Sequence, residues 1–374
     1  MSTTDDRSMA AAAGESLAAT LRDAAFAHVV AHADGDALAS AALIARALEA
    51  RGTPYQVSTA ATAGDAARRV ADSDEDAAVV AVRLDPAGAT ESLPDGLTTP
   101  AAFDTATSLA DVTGEMATLA LAGVAAGGGV PERDAPAAAD RAPVERRPGV
   151  AIPTADLVDG LAHSTLVHAG FSGDTDAAGA ALADLDLPAE LDAEDRRRLA
   201  SVVALDASAG ESASADAMER ALRPLAPGGP FATVGGYADV LDAVARTAPG
   251  TALAAALGHD VRTAALDAWR EAATAVHDAV RTAQPTRHSG LVVADVGDAP
   301  VWTAARLLRD ARSPEPAALA VGTDEVALAA EADADARLAS VVGEEVVAGR
   351  GTLAYAQTPE MDASELTAAV RGTR

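Results

Sequence analysis

Short, continuously apolar runs alternate with stretches of helical period at both ends of this chain, while helical period alone fills the middle. Near the N-terminus, Leu17 to Ala25 reads as a short helix feeding a buried strand, Phe26-Ala27-His28-Val29-Val30-Ala31. Ala37 to Ala50 is helical and is stopped by Gly52 and Pro54. Tyr55 to Ser58 predicts a second strand and Gly64 to Val70 a short helix. Ala77 to Leu84 predicts a third strand, apolar apart from Arg83, that ends at Asp85-Pro86. A turn-rich passage, Gly88 to Thr99, leads to one long helix from Pro100 to about Ala126, closed by Gly127-Gly128-Gly129. Helices then dominate: residues 154–162, 176–184, 192–205, 215–222, 237–246 and 260–282, with Thr165-Leu166-Val167-His168 as an edge strand between the first two. After Gln284-Pro285 the alternation resumes. Strands are expected at Leu291–Ala294, Ala317–Val321 and Leu353–Ala356, and helices at Pro300–Ala311, Ala334–Val342 and Ser364–Arg371.

Alternating strands and helices predict an α/β chain: a parallel-sheet N-terminal domain, a helical middle region and a smaller α/β C-terminal domain. The expected division is a disordered N-terminus over 1–16, the first part of the N-terminal domain over 17–130, and its mainly helical remainder over 150–284. The C-terminal domain takes 286–374. Residues 131–149, rich in Pro, Ala and charge without apolar period, read as a linker or disordered insertion.

Composition narrows the chemistry. With no cysteine, disulfides, zinc–thiolate sites and thiol nucleophiles are excluded. No apolar run reaches the ~20 residues that span a bilayer, and Met1 to Gly14 lacks the pattern of a signal peptide, so a cytoplasmic location is expected, with no membrane partner. The net charge is −28, with the acids spread along the chain and every basic residue but histidine an arginine. That pattern matches a halophilic protein better than an acidic protein seeking a basic partner, which would carry local acidic blocks. Aromatic residues are only 2% of the chain, which leaves little for stacking on bases.

Candidate chemistry concentrates in His32-Ala33-Asp34-Gly35-Asp36, a strand-to-helix turn at the sheet edge where ligands bind in open α/β folds. Imidazole and carboxylates without sulfur suit Mn²⁺ or Mg²⁺. The same residues also fit a plain reading, with Asp36 as N-cap of the following helix and Asp-Gly as an ordinary turn. Asp85, just past the third strand, faces the same edge if the two strands are neighbours, and equally fits a turn aspartate before proline. His28, His163, His168, His259, His277 and His288 have no partner at ligand spacing and are assigned no role. Arg196-Arg197-Arg198 reads as a salt-bridged helix face rather than a nucleic-acid patch.

His32 to Ala41 (HADGDALASA) resembles the first motif of the DHH phosphoesterase superfamily. Leu119 to Val124, Gly173 to Ala180 (GDTDAAGA), Gly235 to Ala243 (GGYADVLDA) and Val347 to Ala356 extend the resemblance to the archaeal RecJ-like single-strand exonucleases. The resemblance implies a catalytic domain holding two Mn²⁺ or Mg²⁺ ions and a C-terminal domain that grips phosphate. It makes His32, Asp34, Asp36 and Asp85 metal ligands, and Gly349, Arg350 and Gly351 the nucleic-acid phosphate site. The chain departs from the family pattern in three places. It has no Asp-His-His triplet, it has Gly127-Gly128-Gly129 where the fourth motif carries an aspartate, and it has Ala348-Gly349-Arg350-Gly351 where Gly-Gly-Gly-His is usual. The remaining ligands are too few to offset two cations. The expectation is therefore a degenerate RecJ-like protein of DNA replication or repair with weak or lost nuclease activity and at most one ion. It would bind single-stranded nucleic acid or replication partners of the helicase and GINS type. An active Mn-dependent exonuclease and a phosphodiesterase on small nucleotides are the alternatives.

Overall fold

A computed structural model describes residues 3–93, 96–188, 190–209, 214–349, 351–358 and 363–373. The chain forms two compact units. One takes Met1–Val144 and Val244–Ala265, the other Glu145–Ala243 and Leu266–Arg374.

The first unit is built on a parallel sheet. Its elements in chain order are α1 (Thr3–Asp23), β1 (Ala27–His32), α2 (Gly35–Arg51), β2 (Tyr55–Ala60), α3 (Ala63–Ala71), β3 (Ala78–Val82), β4 (Glu91–Leu93), α4 (Thr99–Leu109) and α5 (Gly114–Ala126). Strand order is β2-β1-β3-β4, so β1 is central and buried along its whole length. Ala27 pairs with Tyr55 on one side and with Ala78 on the other. This register sends the ends of β1 and β3 to one edge of the sheet. The Asp34 side chain caps α2 by accepting from Ala37 N–H, and Gly52, at φ 74°, ends it. α2 is buried on nearly every turn because α4 and α5 both pack on it. α5 approaches that closely because Gly123 has no side chain: a Cβ there would fall 2.6 Å from Ala39 Cβ and clash with Thr99 Oγ1.

Several expectations need correction. Residues 3–16, expected to be disordered, belong to helix α1, whose Leu17, Ala18 and Leu21 are buried. The long helix expected from Pro100 is two. α4 stops at Leu109, and α5 begins after Thr113, whose hydroxyl accepts from Met116 N–H at 3.3 Å. A hydroxyl cap and a restart outweigh continuous apolar period. The stretch expected as linker carries two single-turn helices, Pro131–Asp134 and Pro136–Ala139, pinned by buried Ala138.

The second unit has a helical part, whose core includes Ile152, Leu161, Phe171, Leu199 and Val203. It also has a six-stranded mixed sheet. Across that sheet the strands run Val347–Gly349, Leu353–Gln357, Glu325–Ala329, Ala318–Gly322, Leu291–Gly297 and Thr286–His288. Only Leu291–Gly297 and Ala318–Gly322 pair in parallel. Glu325–Ala329 is a strand that the sequence pattern does not announce; it hairpins antiparallel onto Ala318–Gly322. Residues 165–168 form a turn and loop instead of the expected edge strand. The Thr165 N–H goes to the buried Asp239 carboxylate at 3.0 Å, not to a neighbouring strand.

Gly236 sits in helix Val234–Val244, where an added Cβ would clash with the backbone of Ile152 and Pro153. Backbone cannot step aside as a flexible side chain can. Gly236→Ala is expected to lower stability by about 1–3 kcal/mol or more, measured by chemical denaturation. Gly250→Ala, in a helix with open space around it, is expected to be neutral or slightly stabilising.

Candidate functional site

The turn after β1 brings His32, Asp34 and Asp36 together, each with no solvent exposure. Asp34 stays at the cap of α2. Asp36, in the first turn of that helix, reaches across instead to the N-terminus of α4. It accepts from Thr98 N–H at 2.9 Å, Thr98 Oγ1 at 2.8 Å, Thr99 N–H at 3.1 Å and Thr99 Oγ1. The plain reading of Asp36 as the cap of its own helix is thus corrected: Asp34 fills that role, and Asp36 satisfies the orphan donors that open α4.

Arg83 completes the cluster. It follows β3, has φ 60°, and is 4% exposed. A non-glycine residue in the left-handed region is held there only by surrounding contacts. Its N–H donates to Leu93 O at 2.6 Å. Its guanidinium spans both carboxylates, Nε lying 2.9 Å from Asp34 Oδ2 and Nη2 pairing with Asp36 Oδ2. The Asp36 carboxylate therefore has five donors on its two oxygens, against roughly four lone-pair sites.

His32 is fixed by its neighbours. Arg246 Nη2 lies 2.8 Å from His32 Nε2, and His32 Nδ1 lies 2.6 Å from Asp34 Oδ2. A guanidinium can only donate, so Nε2 carries the lone pair and Nδ1 the proton, which it gives to Asp34. Burial, with Arg246 and Arg83 adding to it and Asp34 opposing, pushes the His32 pKa down to about 4. The imidazole is neutral, and the Arg83 guanidinium lies against both carboxylates.

A divalent cation does not fit this arrangement. Asp36 has no free acceptor capacity, the His32 lone pair is taken by Arg246, and Arg83 already supplies the cation at both carboxylates. Asp85, expected as a fourth ligand, is exposed, whereas the other three are buried, and it makes no ion pair or hydrogen bond among the described residues. Among the described residues, no group of three or more His, Cys, Asp or Glu side chains is placed to hold a metal ion. Gly127 opens the run Gly127-Gly128-Gly129 that stands where the resembled motif carries an aspartate. A Cβ there would meet Leu97 Cδ2 and fall 3.2 Å from Asp36 Cβ, so a side chain at this position has to displace Leu97.

At the expected phosphate site, Gly349 ends one strand of a hairpin and Gly351, at φ 74°, turns toward the next. The Gly351 N–H points to Asp335 Oδ2 at 3.3 Å. Arg350 lies outside the described residues. Arg197 and Arg198 pair with Glu194 and Asp195 on an exposed helix face.

Sequence reading missed Arg83, Arg246, Thr98 and Thr99. Only Arg83 had left a signal, as the single charge in an apolar strand. It also missed a histidine pair in the second unit. His168 Nδ1 and His277 Nδ1 are 3.0 Å apart, and His277 Nε2–H donates to Ser164 O at 3.0 Å. Burial, with Arg281 beside both, lowers His168 to about 4 and His277 to about 3.

The fold has counterparts among solved structures. Over 97% of this chain and 54% of the other, the structure matches RecJ of Thermus thermophilus in complex with Mn²⁺, with a TM-score of 0.52 and 14% identity. Over 96% and 97% it matches CDC45 from Entamoeba histolytica, with a TM-score of 0.59 and 8% identity. An exonuclease RecJ bound to manganese matches over 97% and 93%, at 0.50 and 15%. The fold is that of the RecJ-like DHH proteins, and the chain spans about half the length of the Thermus RecJ it matches. In sequence, the chain is 46% identical over 316 residues to "Uncharacterized protein rrnAC1427" of Haloarcula marismortui, covering 83% of this chain and 82% of that one. The family described as "Uncharacterized protein rrnAC1427, C-terminal domain" matches residues 283–372. The chain belongs to the rrnAC1427 family.

The lowered His32 pKa ties stability to pH. In the unfolded chain His32 takes up a proton below about pH 6.5, but in the fold only near 4. Its contribution is fully present above about 6.5 and is lost as pH falls toward 4. Between pH 7 and 5, wild type is expected to lose on the order of 1–2 kcal/mol more than His32→Gln, whose amide donates and accepts but does not titrate. Denaturant titrations at fixed salt measure the difference; equal losses contradict the assignment.

Proposed function

We propose that this protein is a non-catalytic RecJ-like protein of DNA replication or repair, which binds single-stranded nucleic acid or a replication partner of the helicase or GINS type. One observation carries the reading: the carboxylates of the first motif are buried and engaged by Arg83 and the start of α4. In-line phosphodiester hydrolysis of the two-metal kind needs those carboxylates on cations that face attacking and leaving oxygens. Here they face an arginine. A likeness to CDC45 over nearly the full length of both chains supports placing the fold in replication. Among the described residues no helix is long and apolar enough to cross a membrane, in keeping with a cytoplasmic site of action. The charge of −28 supports work in molar salt, where binding leans on shape and a few placed arginines more than on counterion release.

The test is purified protein in molar KCl with Mn²⁺ and labelled single-stranded DNA, beside affinity purification from the native cell. Expected are intact DNA and co-purification of retained DNA or of helicase or GINS subunits. Degradation that Asp36→Ala abolishes would overturn the reading in favour of an active exonuclease. The same result on short oligonucleotides or cyclic dinucleotides alone would favour a small-substrate phosphodiesterase.

A further inference from the structure

We propose that Arg146, Arg196 and Arg223 form a face of the second unit that contacts the phosphodiester backbone of a single-stranded nucleic acid. This rests on the nucleic-acid arm of the function proposed above and gives it a place.

Three segments distant in sequence meet at this face. The two-residue strands Glu145–Arg146 and Leu225–Ala226 pair antiparallel. Beside them, Arg147 N–H donates to Pro224 O at 2.9 Å and Arg223 N–H to Gly149 O at 3.1 Å. Arg146 Nη1 donates to Arg223 O at 2.6 Å, which ties these two arginines together. The third segment is helix Ala193–Ala207. Its Arg196 stem lies over Gly149, where an added Cβ would fall 3.8 Å from Arg196 Cβ and Cδ.

These arginines stand out by their lack of acidic partners. The chain carries 56 acids to 28 arginines, and exposed arginines of this unit are paired, Arg197 with Glu194, Arg198 with Asp195 and Arg287 with Glu315. Among the described residues, the guanidiniums of Arg196 and Arg223 make no hydrogen bond and no ion pair. The run Arg196-Arg197-Arg198 is thus divided: two members form the salt-bridged face, and the first turns to the ribbon. Two acids close by are engaged elsewhere. Glu145 pairs with Arg147 at 2.6 Å, and Asp192 caps its helix by accepting from Glu194 N–H at 2.7 Å and Asp195 N–H at 2.9 Å.

Arg223 adds a second, independent mark. Its backbone takes φ 57°, which Gly, Asn or Asp adopts more readily, while its side chain is exposed. Backbone strain of this kind persists where surrounding contacts hold it, and it gathers at functional positions. For the fold alone, Asn or Gly at this turn would serve better.

The chemistry selects the ligand. A guanidinium presents forked donors that match phosphate oxygens. Spread along a ribbon and a helix rather than closed around one point, the three suit a linear polyanion more than a single carboxylate. No aromatic residue lies in 145–149, 193–198 or 222–226, so the contact is to the backbone and reads no base.

The experiment measures binding of the full-length protein to a fluorescent oligothymidylate by anisotropy over a series of KCl concentrations. Wild type is expected to bind, with log affinity falling linearly with log [KCl]. Arg196→Ala/Arg223→Asn should bind more weakly and lose about 1.4 from that slope, at about 0.7 for each phosphate contact on a single strand. Arg197→Ala/Arg198→Ala, which removes the same charge from paired neighbours, should keep the wild-type slope. Arg223→Lys should keep it too. All variants should melt as wild type does; if the Arg196/Arg223 pair melts lower, Arg223→Gln alone is read in its place, with about 0.7 lost. Equal losses in the two double variants would mean diffuse charge and overturn the site. A wild-type slope in the Arg196/Arg223 variant overturns this proposal alone, and if that variant instead loses a co-purified protein, the face takes an acidic protein partner. No binding by wild type at any salt overturns the proposal together with the nucleic-acid arm of the function.

Discussion

Two buried carboxylates with one guanidinium between them organise the first unit. Asp34 and Asp36 belong to the start of α2, Arg83 to the end of β3, and Thr98 and Thr99 to the entry of α4. Three separate segments meet at one charge cluster. Breaking a buried pair of this kind by removing one partner costs about 3–5 kcal/mol, because the other charge is left without compensation. That is a large share of what holds a domain together. The sheet edge is therefore a fixed structural joint rather than an open cleft.

The packing around the cluster follows from it. Gly123 lets α5 come within contact of α2 and Thr99. Gly127 leaves room for Leu97 beside Asp36. Arg246, from the segment that returns to this unit after the helical region, occupies the remaining nitrogen of His32. Each polar atom that a metal site would leave open is met here by a donor or an apolar lid. An aspartate at position 127 would displace Leu97 and add a third buried negative charge.

The second unit repeats the same device. Asp239, on the Gly235–Ala243 stretch, is 2% exposed and accepts from both the N–H and the hydroxyl of Thr165 and from Trp269 Nε1 at 3.1 Å. Asp36 with Thr99 and Asp239 with Thr165 are the same two-point clamp, a threonine N–H and Oγ1 on one carboxylate. In both places a motif aspartate ties a helix to a distant backbone turn. Burial raises the Asp239 pKa, and the donors around it oppose that shift.

Local pattern sufficed for much of this chain. Apolar runs located β1, β3 and three of the six strands of the C-terminal sheet, because a strand buried on both faces is apolar throughout. The Asp34-Gly35-Asp36 turn marked the sheet edge, and Gly127-Gly128-Gly129 stood where the resembled motif carries an aspartate. What pattern did not reveal was who answers the carboxylates. Arg83 and Asp36 are 47 residues apart, and His32 and Arg246 are 214 apart. A lone arginine in an apolar strand reads the same whether it faces solvent or two buried aspartates. Only the folded register of β1 against β3, and the left-handed turn at Arg83, decided that it faces inward. The sequence by itself determined the fold class and the central strands of the first sheet, because those rest on short-range periodicity and motif. The tertiary structure alone decided that the site is closed by charge, because the pairing energy of buried ions depends on distance and burial, which no spacing along the chain encodes.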